Sequence, residues 1–321
     1  MDNPASLALP TATASDRTRH SHAMLHALMC IPTVCWAANI VAVKEGLLGF
    51  GALALMQLRV AGAGTIFVVL YLLRKKVSDL RLPRRDWVIM VVLGVCGVTL
   101  NQLCFIGGLA RSTVAHAGLI VALGPIMVLV IACAIRLEVL TVSKFAGMLI
   151  AFGGVAVLTL SKTGRGGGGY WVGDLLLLAG SVFFALYTIL IKEVAHKYDA
   201  LTLNTLPSVF GVPLLVPFAT HAVMSTHWPS VPTHAWLGLG YTIVFGSVVP
   251  YLIFAVALRE LSAARVAAFS YIQPVIATGL GVWLLHERLT MKVIVGGILI
   301  LGGVYLTERE KGEDVEIGSR G

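Results

Sequence analysis

Charge is scarce in this chain. Only 12% of its 321 residues are Asp, Glu, Lys or Arg, while 57% are hydrophobic, and the mean hydropathy is +0.88. A soluble domain carries roughly 25% charged residues, so a water-facing globule of this composition is excluded. Cysteine is sparse too. The five present (Cys30, Cys35, Cys96, Cys104, Cys133) are odd in number and lie inside apolar runs, which argues against a disulfide framework. The polar first 23 residues contain no short apolar core with a cleavage site, so no secretory signal peptide is read there. No carboxylate falls in the middle of an apolar run, which argues against a simple carboxylate-coupled antiport. The runs also hold no clustered His/Asp or Ser/Lys set, so an intramembrane enzyme is not expected. The glycine run at 164–169 lacks the Lys-Ser/Thr of a phosphate-binding loop and follows no strand. No cofactor and no metal are expected.

What the sequence does contain is long apolar stretches. Ten of them, at about 24–44, 52–73, 87–108, 112–135, 143–160, 173–191, 200–223, 235–257, 262–285 and 290–307, approach the ~17–25 residues a helix needs to cross a bilayer. They are continuous and too long for barrel strands. With the N-terminus inside, 17 Lys and Arg fall on the cytoplasmic side and 6 outside, leaving Arg59 within a span. That bias satisfies the positive-inside rule and puts both termini in the cytoplasm. The net charge of +8 then reports topology and contact with anionic lipid; the charges are dispersed over loops, so no nucleic-acid partner is read. The fold expected is an all-α polytopic membrane protein with ten transmembrane helices, N-in/C-in.

The chain also repeats itself. At a constant offset of 149, Gly97 matches Gly246, Pro125 matches Pro274, Glu138 matches Glu287, Thr141 matches Thr290, and Gly147, Gly153 and Gly154 match Gly296, Gly302 and Gly303. Near the start of each half, "WAANIVAVKE" aligns with "FALYTILIKE" at an offset of 148. Two homologous five-helix halves follow, and because five is odd the second inserts upside down relative to the first. The expected organisation is a polar cytoplasmic tail (1–23), a first repeat (24–160), a Gly-rich external loop (161–172), a second repeat (173–308) and a charged cytoplasmic tail (309–321). Inverted repeats exchange geometries around a midplane site, which is the architecture of an alternating-access transporter.

At "CWAANIVAVK", "NQLCFIGGLARSTVAHAGLIVALGPI" and "SVVPYLIFAVALRELSAARVAAFSYIQPVIATGLGVWLLHERLT" the sequence resembles the paired EamA repeats of the drug/metabolite transporter superfamily, over roughly residues 25–308. The resemblance implies an inner-membrane exporter of amino acids, other metabolites or toxic compounds. Two departures stand out: Ala37-Ala38 replaces the usual small polar pair after Trp36, and Val139 follows Glu138 where an arginine is common.

Candidate substrate-binding residues are the polar and aromatic groups deep in the spans: Trp36, Asn39, Asn101, Gln102, Tyr187, Tyr251, Tyr271 and Gln273. An amide facing lipid is costly, so these groups turn inward and either bond a neighbouring helix or line a cavity. Arg59 is read either as an anchor on a helix-end carbonyl or as the partner of a substrate carboxylate. His116 is read either as a bonded packing residue or as a proton site. Pro125 and Pro274 must kink or break their helices, and Glu138 and Glu287 mark structural or gating corners where Thr141 and Thr290 can cap the next helix. Amino acids are the leading cargo; multidrug export and phosphorylated-metabolite transport are the alternatives. The partners expected are a small-molecule substrate and the lipid bilayer, and no oligomeric state is assigned.

Overall fold

The computed structural model describes residues 14–74, 82–135, 141–159, 170–260, 266 and 273–309, with side chains from residue 28 onward except at 132, 155, 158, 159 and 307–309. Tyr271 and Glu138 lie outside the described residues. Within them the chain is built from helices: α1 (Ala14–Leu47), α2 (Ala52–Arg74), α3 (Arg84–Leu109), α4 (Val114–Val121), α5 (Gly124–Ala134), α6 (Val142–Thr159), α7 (Trp171–Val194), α8 (Ala200–Met224), α9 (Thr233–Glu260), α10 (Gln273–Leu285) and α11 (Met291–Arg309). A helix keeps every backbone polar group paired within itself, which lipid demands. Seven stretches are long and apolar enough to cross a membrane: α1 from Leu28, α2, α3, Val114–Ile131, α7, α8 and α9. Shorter apolar segments lie in α6, α10 and α11. Leu73, Val142 and Met224 are more than three-quarters exposed, a surface suited to hydrocarbon and not to water. The protein is a polytopic membrane protein.

Local chemistry sets the ends and breaks. Asp199 accepts from the Leu201 and Thr202 N–H groups (3.1 and 3.2 Å) and starts α8. Thr141 and Thr290 each take the N–H three residues on (3.3 Å in both), so both caps form as expected. The apolar run 112–135 is broken at Ala122–Leu123, directly before Gly124 and Pro125, because proline cannot donate to the turn behind it. Pro274 stands at the second position of α10.

The two halves pack as a pseudo-twofold pair. α2 lies against α8, α4 against α10, and α6 against α11; α1 lies against α9, and α3 against α7. Exchanging the halves maps α2–α8 and α6–α11 each onto itself and α1–α9 onto α7–α3; α10 corresponds to α5, and the counterpart of α4 lies almost wholly outside the described residues. The glycines show it atom by atom. A Cβ on Gly154 would meet Gly296 O at 2.7 Å, and a Cβ on Gly303 would meet Gly147 O at 2.5 Å, so α6 and α11 touch backbone to backbone at two symmetric points. The neighbouring Gly153 and Gly302 face open space.

α3 and α9 each contain one wide π turn, Gly94–Leu100 and Val244–Val248, centred near the matched Gly97 and Gly246. No residue pattern announced them. A π turn shifts the hydrogen-bond register and frees carbonyls. In α9 the Gly246 carbonyl accepts from Arg59 Nη2 (3.0 Å), and in α3 Thr99 Oγ1 donates out of the turn to Gly211 O of α8 (3.0 Å).

Candidate functional site

A cavity holding about 1000 Å³ of empty space, its open mouth included, lies between the halves. One face of α1 supplies Met29, Thr33, Trp36, Asn39 and Ile40, and α7 supplies Leu177, Ser181, Phe184 and Thr188. Arg59, Asn101, Gln102, Phe105, Pro125, Tyr251, Phe254 and Gln273 complete most of the wall. The structure therefore brings together seven of the candidates read from sequence, namely Trp36, Asn39, Arg59, Asn101, Gln102, Tyr251 and Gln273. Tyr187 is not among them. It lines a second cavity, between α2 and α8, which shares Gln102 and Tyr251 with the first. The sequence alignment with Asn39 had placed Tyr187 at an equivalent depth, but its ring lies flat on Gly97, so close that a Cβ there would fall 2.3 Å from it.

The cavity has an aromatic side and a polar side. Trp36 meets Phe184, Tyr251 and Phe254 edge-on at centroid distances of 5.8, 5.7 and 5.5 Å, a preferred quadrupole arrangement. The amides and Arg59 supply its polar groups. Asn101 Nδ2 is committed to Gly180 O (2.9 Å), a bond between the halves. Gln102 Nε2 donates to Asn101 Oδ1 (3.0 Å) and reaches Tyr251 Oη at 3.4 Å. Gln102 and Tyr251 are equivalent under the 149-residue repeat, and equivalent residues touch only on the axis relating the halves, so this pair marks the axis.

Arg59 is 2% exposed. Its Nε donates to Ser247 Oγ (3.0 Å) and Nη2 to Gly246 O (3.0 Å), while Ser247 Oγ returns to Thr242 O (2.9 Å). Among the described residues no carboxylate lies within ion-pairing distance of it, and Arg59 Nη1, Asn39 Oδ1 and Gln102 Oε1 are buried without a hydrogen-bond partner. Arg59 is anchored on a carbonyl and a hydroxyl in the middle of α9, not on a helix end, and the anchor leaves one guanidinium nitrogen free. An orphaned buried polar atom is costly unless something comes to meet it. Thr33, Ser181 and Thr188 also line the cavity and were missed by sequence reasoning. Their hydroxyls bond their own helix backbone four residues back, so they read as ordinary helix residues until the fold places them.

Glu287 does more than hold its own corner. His286 sits in the left-handed region (φ 53°), which lets the Glu287 N–H return to Gly281 O (3.1 Å). The carboxylate accepts from the Val114 and Ala115 N–H groups at 2.9 and 3.2 Å, capping α4 of the other half. Pro274 packs against α4 at Gly118, where a Cβ would lie 3.3 Å from its Cα. On the opposite end of the bundle, Asp86 accepts from Tyr198 Oη (2.6 Å) and Lys197 Nζ (3.2 Å). Burial and that bond to Asp86 push the Tyr198 phenol up to about 12.

The chain as a whole is similar to known proteins. A transporter named only as uncharacterized from Archaeoglobus fulgidus is 27% identical over 88% of this chain and 98% of its own. A probable terminal-alkyne amino-acid exporter from Streptantibioticus cattleyicolor is 25% identical over 88% and 92%. A solved crystal structure superimposes with a TM-score of 0.61 at 18% identity over 89% of this chain and 97% of that one, a likeness of fold. Residues 24–160 and 171–309 each match the EamA-like transporter family, so the repeat found in the sequence and the paired packing of the helices have one explanation: the chain belongs to that family.

Proposed function

We propose that the protein is a secondary exporter of small metabolites, with amino acids as the first class, working by alternating access. In this reading ten helices form two inverted five-helix repeats in an inner membrane, both termini in the cytoplasm. The cavity wall runs from Asn39 and Leu177 toward Met29 and Thr188, the cytoplasmic ends of α1 and α7 in that topology. The opposite end is packed around Val43, Phe50, Leu55, Ile106, Leu109 and Val114, which in this reading makes the form one that loads from inside.

One observation carries the cargo class: Arg59, Asn39 and Gln102 line one cavity beside an aromatic wall, and each keeps a buried, unpartnered polar atom (Nη1, Oδ1 and Oε1) that a substrate would reach as the wall shifts. An α-amino acid supplies the complement to each. Its carboxylate meets the guanidinium in a charge-assisted bond, its ammonium meets the amide oxygens and the Trp36 ring face, and an apolar side chain fits the aromatic side. The amino-acid exporter among the relatives is consistent with this. The aromatic wall favours multidrug export as the second reading. Against it, the described lining holds no carboxylate to draw in cationic drugs, and a phosphorylated cargo would want more cations than Arg59 alone.

The test is counterflow in proteoliposomes with labelled amino acids, comparing wild type with Arg59→Gln and Arg59→Lys. Losing a bond to a charged group is worth about 1.5–3 kcal/mol, so Arg59→Gln should weaken half-saturation roughly 10- to 100-fold, with Arg59→Lys between. An amino-acid amide, which lacks the carboxylate, should be insensitive to the substitution. Absence of amino-acid flux, or equal loss for acid and amide, overturns the reading.

A further inference from the structure

The second cavity, between α2 and α8, is an enclosed room that the cargo reading leaves unused. It holds about 420 Å³ of empty space. Ala63, Phe67, Leu203, Asn204 and Ser208 on its wall are each buried, so the room lies inside the bundle. Its described lining is uncharged. The polar groups there have committed their donors elsewhere: Ser208 Oγ donates to Asn204 O (2.7 Å), Asn204 Nδ2 to Ala200 O (2.7 Å) and Ser247 Oγ to Thr242 O (2.9 Å). With those protons bonded and Val60, Phe67 and Leu203 beside them, the room suits an apolar chain.

Two side chains stand on the walls of both cavities, Gln102 and Tyr251. They are the pair on the axis, and their contact, Gln102 Nε2 to Tyr251 Oη at 3.4 Å, is longer than a good hydrogen bond. Trp36, Phe184 and Tyr187 surround the Tyr251 ring at 5.7, 6.4 and 5.9 Å. The pair is thus a partition made of one side chain from each half. Arg59 stands beside it: the guanidinium lines the first cavity, and the Ser247 hydroxyl that its Nε bonds (3.0 Å) lines the second. A carboxylate on Arg59 Nη1 would place the chain it carries within reach of the partition.

Closure makes the partition matter, because an alternating-access carrier must shut its mouth over the cargo. A side chain too long for the first cavity projects through the mouth and obstructs closure. One that enters the second cavity is enclosed by the bundle. We infer that the Gln102–Tyr251 pair sets the length of cargo carried: while it is closed, short side chains pass and long ones do not, and the second cavity is the room a longer apolar chain takes once the pair is parted. This inference rests on the amino-acid reading above, but its first test needs no cargo.

That test places a thiol in the second cavity with Ser208→Cys and follows its alkylation by N-ethylmaleimide in proteoliposomes. Mass spectrometry reads the label at residue 208 apart from the five native cysteines. With Tyr251 present the thiol should stay protected, and Tyr251→Ala should speed labelling about tenfold, equivalent to removing about 1.4 kcal/mol from the cost of parting the pair. The second test is counterflow with straight-chain α-amino acids of increasing length, from norvaline to α-aminodecanoic acid. Wild type should carry the short members and fall off sharply along the series. Burying a methylene is worth roughly fourfold, so Tyr251→Ala should raise the long-to-short ratio roughly fifteenfold if two more methylenes are housed. Ala63→Leu, which fills the second cavity from α2, should cancel that gain and leave the wild-type series as it was. Tyr251→Leu, a milder loss, should act in the same direction if the alanine variant folds poorly. Equal labelling with and without the Tyr251 ring overturns the proposal, as does a gain in long cargo that survives Ala63→Leu. If the ring controls labelling and no amino acid is carried, the cargo reading fails and the partition stands. If amino acids are carried and Tyr251→Ala leaves their length dependence unchanged, the reverse holds.

Discussion

Gly246→Ala isolates the polar side of the cavity without deleting a polar group. Gly246 sits in the π turn of α9, and a Cβ there would lie 2.0 Å from Asn39 Oδ1 and 2.7 Å from Asn39 Cγ. Contacts below 3.0 Å essentially never occur, so the Asn39 amide must retreat by at least about 1 Å. Arg59 Nη2 is 3.4 Å from the same point, an ordinary contact, and need not move. The methyl thus displaces one amide oxygen from its place beside the guanidinium and leaves the guanidinium anchored. Overpacking of this kind costs about 1–3 kcal/mol of stability. If Asn39 Oδ1 accepts from a substrate ammonium, the displacement should also weaken binding by about 1–2 kcal/mol, roughly 5- to 30-fold. Gly240, on the same helix, has nothing within 4 Å of its Cβ position, so Gly240→Ala is the matched control. The measurements are thermal melting in detergent and half-saturation in counterflow. If Gly246→Ala matches Gly240→Ala in both, the account of this wall is wrong. A lower melting temperature with unchanged half-saturation would keep the packing argument and remove Asn39 from the site.

Two other substitutions probe the two ends of the bundle. Glu287→Ala removes the acceptor of two α4 N–H groups and should destabilise by about 1.5–3 kcal/mol, seen as lower protection of 114–117 in hydrogen exchange; an unchanged pattern would show that water caps α4 equally well. Tyr198 bears on alkaline stability. Its phenol, ordinarily near 10, stands at about 12 in the fold, so its contribution is complete below pH 10 and disappears as pH rises through 12. Tyr198→Phe should therefore flatten the loss of stability across that window, and a tyrosinate titration of wild type that finishes at the ordinary value refutes the assignment.

What could be read from sequence was whatever repeats or has a period. Apolar runs gave the seven long spans, and residues matched at one offset gave the two halves, but not that Gly147, Gly154, Gly296 and Gly303 would meet across them. The break at Pro125 follows from proline's missing donor. What could not be read depends on neighbours distant in sequence. A π turn is a change of hydrogen-bond register and carries no residue signature, although Gly97 and Gly246 lay at its two sites. Asp174 escaped notice because only the middles of spans were searched for carboxylates. Its burial at a helix start is imposed by the α3–α4 corner, which one segment cannot show. Tyr187 aligned with Asn39, but a ring and an amide at equivalent places do not fill equivalent space.

That last mismatch bears on mechanism. The scaffold is symmetric while the chemistry on it is not. Under the repeat, Arg59 corresponds to Ser208, Asn39 to Tyr187 and Gln102 to Tyr251, so one half carries the cation and amides and the other carries a hydroxyl and two phenols. Both halves still seat their side chain on a glycine of the partner's π turn, Asn39 on Gly246 and Tyr187 on Gly97. In an alternating cycle the two halves exchange shapes, but they cannot exchange these groups. In the proposed cycle the polar end of a substrate would stay with Arg59 and Asn39 throughout, and the aromatic side from Phe184, Tyr251 and Phe254 would move around it. Arg59 itself crosses between halves, bonded to Gly246 and Ser247. A rearrangement that slides α9 past α2 must break or carry those bonds, and a carboxylate on Nη1 offsets the loss of either one. In the proposed cycle substrate would then ease the passage between forms as well as fill the cavity: its binding lowers the barrier, while a substrate gradient supplies the drive.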